Sequence, residues 1–162
     1  MRFLEYPGHA CAANGTCSSR QPWKAHEARQ SRESEFAMMQ RAYRRTGGLA
    51  HGDEIARVLG ERRGQPISTV ARWIVSRTVI SFDWHSQILL PLSQFDATDM
   101  LPRPAIAAVV RELIDVFNDW DLAVWFAQPN GWLRDAAPVD AIARNASDVL
   151  SAARAERFVA RG

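Results

Sequence analysis

Val79-Ile80-Ser81-Phe82-Asp83-Trp84-His85-Ser86-Gln87-Ile88-Leu89-Leu90-Pro91 is the stretch on which the fold turns. β-branched and aromatic residues dominate its two ends. His85-Ser86 divides them at the spacing of a tight turn, so the segment predicts a β-hairpin with strands over 79–84 and 87–91. Ser93-Gln94-Phe95-Asp96 either continues the second strand or leaves it. On both sides of this hairpin the apolar residues recur at helical rather than strand spacing. The class is therefore mainly α: a helix-turn-helix-like N-terminal part with a β-hairpin, followed by a small helical C-terminal domain.

Upstream, Phe36, Met39 and Tyr43 predict a helix over about Ser34–Arg45, stopped by Gly47-Gly48. Ile55, Val58 and Leu59 mark a second helix from Gly52 to about Gly60, and Gly64-Gln65-Pro66 reads as a turn. Val70, Ala71, Ile74 and Val75 mark a third over Ser68–Arg77, with Ser68 as N-cap. Residues 1–31 mix Gly, Ser, Pro, Cys and His without a period and read as a disordered extension, so that 32–100 and 101–162 carry the fold.

Downstream, Pro104 opens a helix that runs through Ile106, Val109, Val110, Leu113 and Phe117 to about Asn118. Another spans Asp119 to Ala127 and is halted by Pro129-Asn130-Gly131. A short helix follows over Pro138–Ala143, and Ser147 is expected to cap a last one through Leu150, Ala153, Phe158 and Val159. Trp120, Trp125, Phe126 and Trp132 form an aromatic stripe expected to lie mostly in a core with Leu113 and Phe117.

Composition narrows the function classes. Apolar residues make up 47% of the 162 residues, enough for a core, and the net charge is +2. That small net value hides an asymmetry. Arg41 to Arg77 holds eight arginines against three carboxylates, whereas Thr78 to Gly162 holds seven against eleven. A basic half before an acidic half suggests two partners of opposite charge. No apolar run approaches the roughly 20 residues of a membrane span, and no secretory pattern opens the chain, so a cytoplasmic protein without membrane contact is expected.

Two short helices ahead of a hairpin suit a DNA-binding helix–turn–helix with a wing. On the third helix Thr69, Arg72, Trp73 and Ser76 fall largely away from the apolar side and are the candidate base and phosphate contacts. Arg57, Arg62, Arg63 and Arg77 are candidate phosphate contacts beside them. The competing reading is a helical pair packed beneath a hairpin, with solvated arginines and Trp73 in the core.

The C-terminal run reads Trp125-Phe126-Ala127-Gln128-Pro129-Asn130-Gly131-Trp132-Leu133, then Ala137-Pro138-Val139-Asp140. Pro-Asn stops the aromatic helix, Trp132 and Leu133 pin its exit, and Pro138 starts the next helix. The string resembles the Trp–hydrophobe–x–x–Pro-Asn–x–x–Leu…Pro–hydrophobe–Asp signature of the toxin-binding domain of Xre/MbcA/ParS-type antitoxins, over about Leu113–Arg157. The resemblance implies a helical domain that binds a toxin, often a RES-domain protein that consumes NAD. It also implies an upstream part that binds operator DNA and an oligomeric assembly. On that resemblance Asp140, Arg144, Arg154 and Arg157 are the exposed toxin-binding candidates, while Trp125, Pro129, Asn130, Leu133 and Pro138 shape the fold.

Catalytic chemistry finds little footing. Asp83, His85 and Ser86 are neighbours in a tight turn and point in different directions, which suits a polar turn better than a nucleophile with its base. His9, His26 and His51 lack ligand spacing, and Cys11 and Cys17 have no local histidine partner and read as free thiols. Asp115, Asp119 and Asp121 read as a solvated face and helix caps. Phosphate-loop, dinucleotide and zinc-protease motifs are lacking, so no cofactor, metal or catalytic residue is expected. The expectation is a non-enzymatic antitoxin-like protein. The alternatives are a stand-alone DNA-binding regulator, or an interaction or dimerisation module without DNA contact.

Overall fold

The computed structural model describes residues 22–63 and 68–162, so Cys11, Cys17, His9 and the turn at Gly64-Gln65-Pro66 lie outside the described residues. Helix α1 spans Pro22–Arg44, strand β1 Leu49–His51, α2 Gly52–Arg63, α3 Ser68–Val75, β2 Phe82–Trp84 and β3 Gln87–Pro91. A 3-10 turn over Leu92–Gln94 leads on to α4 (Pro104–Leu113) and α5 (Asp119–Ala127). A second 3-10 turn, Gly131–Leu133, precedes α6 (Pro138–Ala141) and α7 (Ala146–Arg161). The protein is mainly helical with one small antiparallel sheet.

Several boundaries differ from the sequence expectation. Helix α1 starts at Pro22, well before Ser34, so residues 22–31 are helical rather than part of a disordered extension. Lys24, Glu27, Ala28, Arg29 and Gln30 are good helix formers, and Pro22 suits a first turn. The helix ends through Gly47 and Gly48, both at positive φ, with the Gly48 N–H donating to Tyr43 O at 2.8 Å. Leu92 Cβ lies 3.2 Å from where a Cβ on Gly47 would sit, so glycine suits that position twice over.

The hairpin forms with His85 and Ser86 both at positive φ, as two-residue turns between twisted strands require. Unexpected from the sequence is β1, whose three residues add to the outer edge of β3 with Ala50 opposite Leu90. Rather than prolonging β3, Leu92–Gln94 turns away from it. Gln94 is buried, and its side chain accepts from the Ile80 N–H at 2.6 Å and donates to Ile80 O at 2.8 Å. That amide does for Ile80 what a further strand would have done.

Strand β3 separates two hydrophobic clusters. On one face Leu89 and its cross-strand partner Phe82 join Met39, Tyr43, Leu113, Phe126 and the buried side of α7. On the other, Leu90 joins Ile55, Leu59, Val70 and Phe95. The alternation of side chains along a strand places these neighbours on opposite faces. The larger cluster draws on both sides of residue 100, so α1 and the sheet share a core with α4–α7.

Helix α4 ends at Leu113, short of the expected Asn118. The reason lies 37 residues upstream: Arg77 donates to Ile114 O at 2.6 Å and to Phe117 O at 2.7 Å, taking up carbonyls at the helix exit. The last helix is capped by Asn145 rather than Ser147, whose hydroxyl instead donates to Asn145 Oδ1 at 2.8 Å. Among the described residues no helix is long and apolar enough to cross a membrane.

Candidate functional site

Helices α2 and α3 pack against the small cluster, and this decides which side chains of α3 stay outside. Thr69 and Val70 are buried, and Trp73 is half-buried with its ring 6.0 Å from that of Phe95. Thr69 is thus turned into the core and away from a DNA face, while Trp73 is partly covered by Phe95 and keeps part of its surface outside. Arg77 is also held within the fold. Its guanidinium is held by the two carbonyls at the end of α4 and by Asp119 Oδ1 at 2.7 Å. It joins the end of α3 to the α4–α5 junction, a structural role that accounts for this arginine without a phosphate.

What remains exposed on α3 is Ser68, Ala71, Arg72 and Val75. Val75 is 84% exposed, so the outer face of this helix carries one cation and an apolar side chain. Ser76 lies just beyond, exposed, with its hydroxyl 2.7 Å from that of Thr78. Arg57 is exposed and paired with Glu61 at 3.0 Å. The side chains of Arg62 and Arg63 lie outside the described residues. A groove of about 560 Å³ runs between α2, α3 and the hairpin, lined by Ala56, Val70, Ala71, Ile74 and Ile88 with Asp53 at its edge. Phosphates favour a cationic lining, and this one combines apolar side chains with His51, Asp53, Ser86 and Gln87 and holds no arginine or lysine.

In the C-terminal unit the turn after α5 is built around Asn130. Its side chain accepts from the Trp132 N–H at 2.9 Å, while its backbone carbonyl accepts from Leu133 and Asp135. Its own N–H donates to Ala136 O at 3.2 Å, closing the loop over Arg134 and Asp135, both at positive φ. Trp125, Asn130, Leu133 and Pro138 are buried, and Pro129 is exposed. The stripe of four aromatics divides: Trp125 and Phe126 are core, Trp120 is half-buried, and Trp132 is 64% exposed.

The four toxin-binding candidates do not form one free face. Arg154 and Arg157 both pair with Glu112 of α4, Arg154 at 3.1 Å, and so tie α7 to α4. Asp140 is largely covered and lies 3.5 Å from Arg45. Arg144 is exposed beyond α6.

Two arrangements were illegible in the sequence. Phe36 of α1 stacks on Trp84 at 4.0 Å, and Trp84 on Trp120 at 5.7 Å. Arg32 lies 4.3 Å above the Trp120 ring, whose Nε1 donates to Glu35 at 2.7 Å. The second is a cleft of about 420 Å³ between the post-α5 turn and α7, bordered by Trp125, Gln128, Trp132 and Glu156. Only the solitary exposed Trp132, between Gly131 and Leu133, could have signalled it.

Burial pushes the Tyr43 phenol up, and its hydroxyl donates to Ala123 O at 2.7 Å. The Thr98 hydroxyl and backbone N–H hold the Asp96 carboxyl below its usual range. Asp83, His85 and Ser86 are exposed around the hairpin turn, where His85 stacks on Trp84 at 4.5 Å. Among the described residues no group of His, Cys, Asp or Glu is placed to hold a metal ion. No protein-family model, curated protein or solved structure matches the chain.

Proposed function

We propose that the protein is a non-enzymatic, antitoxin-like binding protein of the cytoplasm that sequesters a partner toxin, of which a NAD-consuming RES-domain protein is the leading candidate. The observation that carries this reading is the turn around Asn130. Of the residues that resemble the antitoxin signature, Asn130 caps that turn, and Trp125, Leu133 and Pro138 are buried around it. Partner contact then falls to what the turn and the last helices leave outside: Arg144, and the exposed Phe158 and Val159 near the chain end.

A second reading, a DNA-binding regulator, rests on exposed Arg57 and Arg72 beside the small cluster. It has fewer side chains behind it once Thr69 and Arg77 are accounted for by packing.

The test is capture of the tagged full chain from its native host. The expected result is a stoichiometric small toxin whose NAD consumption the chain suppresses, with capture reduced by Arg144→Glu. Recovery of no protein partner overturns the antitoxin reading. In that event DNA affinity falling steeply with salt, and weakened by Arg72→Ala, would establish the second one.

A further inference from the structure

Trp132 stands out of the surface, yet it is not loosely held. Its N–H is fixed by Asn130 Oδ1 at 2.9 Å, and the loop that follows is closed by the Asn130–Ala136 bridge. The main chain that carries this 64% exposed indole is thus already ordered before anything covers the ring. Two further residues border the cleft beside it. Trp125 is 2% exposed, and its Nε1 has no hydrogen-bond partner, whereas buried indole N–H groups usually have one. Glu156, on α7, makes no ion pair among the described residues, while Arg154, Arg157 and Arg161 of the same helix are each paired with a carboxylate of the α4 region.

The same molecule shows a guanidinium seated on an indole, with the neighbouring carboxylate taking the indole N–H. At Trp120 the ring face is covered by the Arg32 guanidinium at 4.3 Å, and Glu35 lies within 2.7 Å of the indole nitrogen. At Trp132 the exposed ring and the carboxylate border one cleft, and the cation is missing. The cleft offers about 420 Å³, room for a guanidinium and its alkyl stem. A planar guanidinium fits better than an ammonium, because it can lie flat on the indole while its edge pairs with a carboxylate.

We propose that the Trp132–Glu156 cleft is a docking site for an arginine side chain of a partner polypeptide, with the guanidinium over Trp132 and paired to Glu156. The inference rests on the partner-binding reading only in that the occupant is a protein segment. Its test uses a peptide and no toxin, so the two fail separately.

The full chain is titrated with the peptide acetyl-Gly-Arg-Gly-amide at low salt, following the indole N–H resonances of the six tryptophans by NMR. Saturable movement of the Trp125 and Trp132 resonances, with the other four still, is expected. The peptide carrying neutral citrulline in place of arginine should bind roughly fivefold more weakly, and so should Glu156→Gln and Trp132→Ala with the arginine peptide, as loss of one partly exposed cation contact implies. Trp132 is exposed and Glu156→Gln keeps its shape, so both variants fold. Shifts that do not saturate, equal binding of the citrulline peptide, or undiminished binding by Trp132→Ala would each overturn the proposal.

Discussion

The two clusters on either side of β3 are built from similar residues but are closed to different degrees. The larger is covered all round: α1, α4, α5 and α7 and one sheet face bury Met39, Tyr43, Val109, Leu113 and Phe126 almost completely. The smaller rests on two short helices and the opposite sheet face. Its rim residues Ala50, Trp73, Ile74, Leu92 and Met100 are only partly buried. A helix of eight residues cannot stand alone in water, so α3 depends on this cover. On this contrast α2 and α3 are expected to be the less firmly held part, and the core that α1 and the sheet share with α4–α7 the firmer one.

The strongest challenge to that contrast is a matched pair of truncations. Leu113→Ala should lower global stability by about 3 kcal/mol, a cost typical of a fully buried leucine. Leu59→Ala, equally buried, should act more locally. Hydrogen exchange over 52–75 should accelerate while 104–161 stays protected. Equal acceleration in both regions would show one cooperative core and break the comparison.

Gln94 sharpens it from the wall between the clusters. Gln94→Ala leaves the Ile80 N–H and carbonyl without their partner and should cost about 2 kcal/mol in urea unfolding. A cost within error of zero would mean that water replaces the amide there.

Arg77 is the bridge between the halves and should give the smallest effect. Arg77→Met keeps the stem and removes three hydrogen bonds, one of them to exposed Asp119. About 1–2 kcal/mol is expected, discounted for partial solvent screening. The loss should appear as faster exchange of α3 and of the α4–α5 junction together. Acceleration of α3 alone would mean that Arg77 stabilises its own turn and does not couple the two regions.

How much of this was legible beforehand follows from the range of each interaction. The hairpin and the start of α4 were readable because β-branched runs and Pro104 act within a few residues. Gly47-Gly48 and Pro129-Asn130 were readable as stops for the same reason. The start of α1 was misjudged because residues 22–31 have helix-forming side chains but no apolar period to announce them. β1 was invisible because three residues carry no pattern of their own. Thr69 fell on the covered side of α3, against expectation, because helical spacing shows which residues share a side, not which side the protein covers.

By itself, then, the sequence determined the helical class, the hairpin and its turn, the order of the elements and the turn after α5, since these depend on local propensity and steric rules that neighbours satisfy. Only the tertiary structure decided that β3 divides two cores, that Arg77 and Gln94 serve backbone groups far away in the chain, and that Trp132 and Glu156 border one cleft. Those facts depend on burial and on partners brought together across tens of residues, and no local pattern encodes which distant group will arrive.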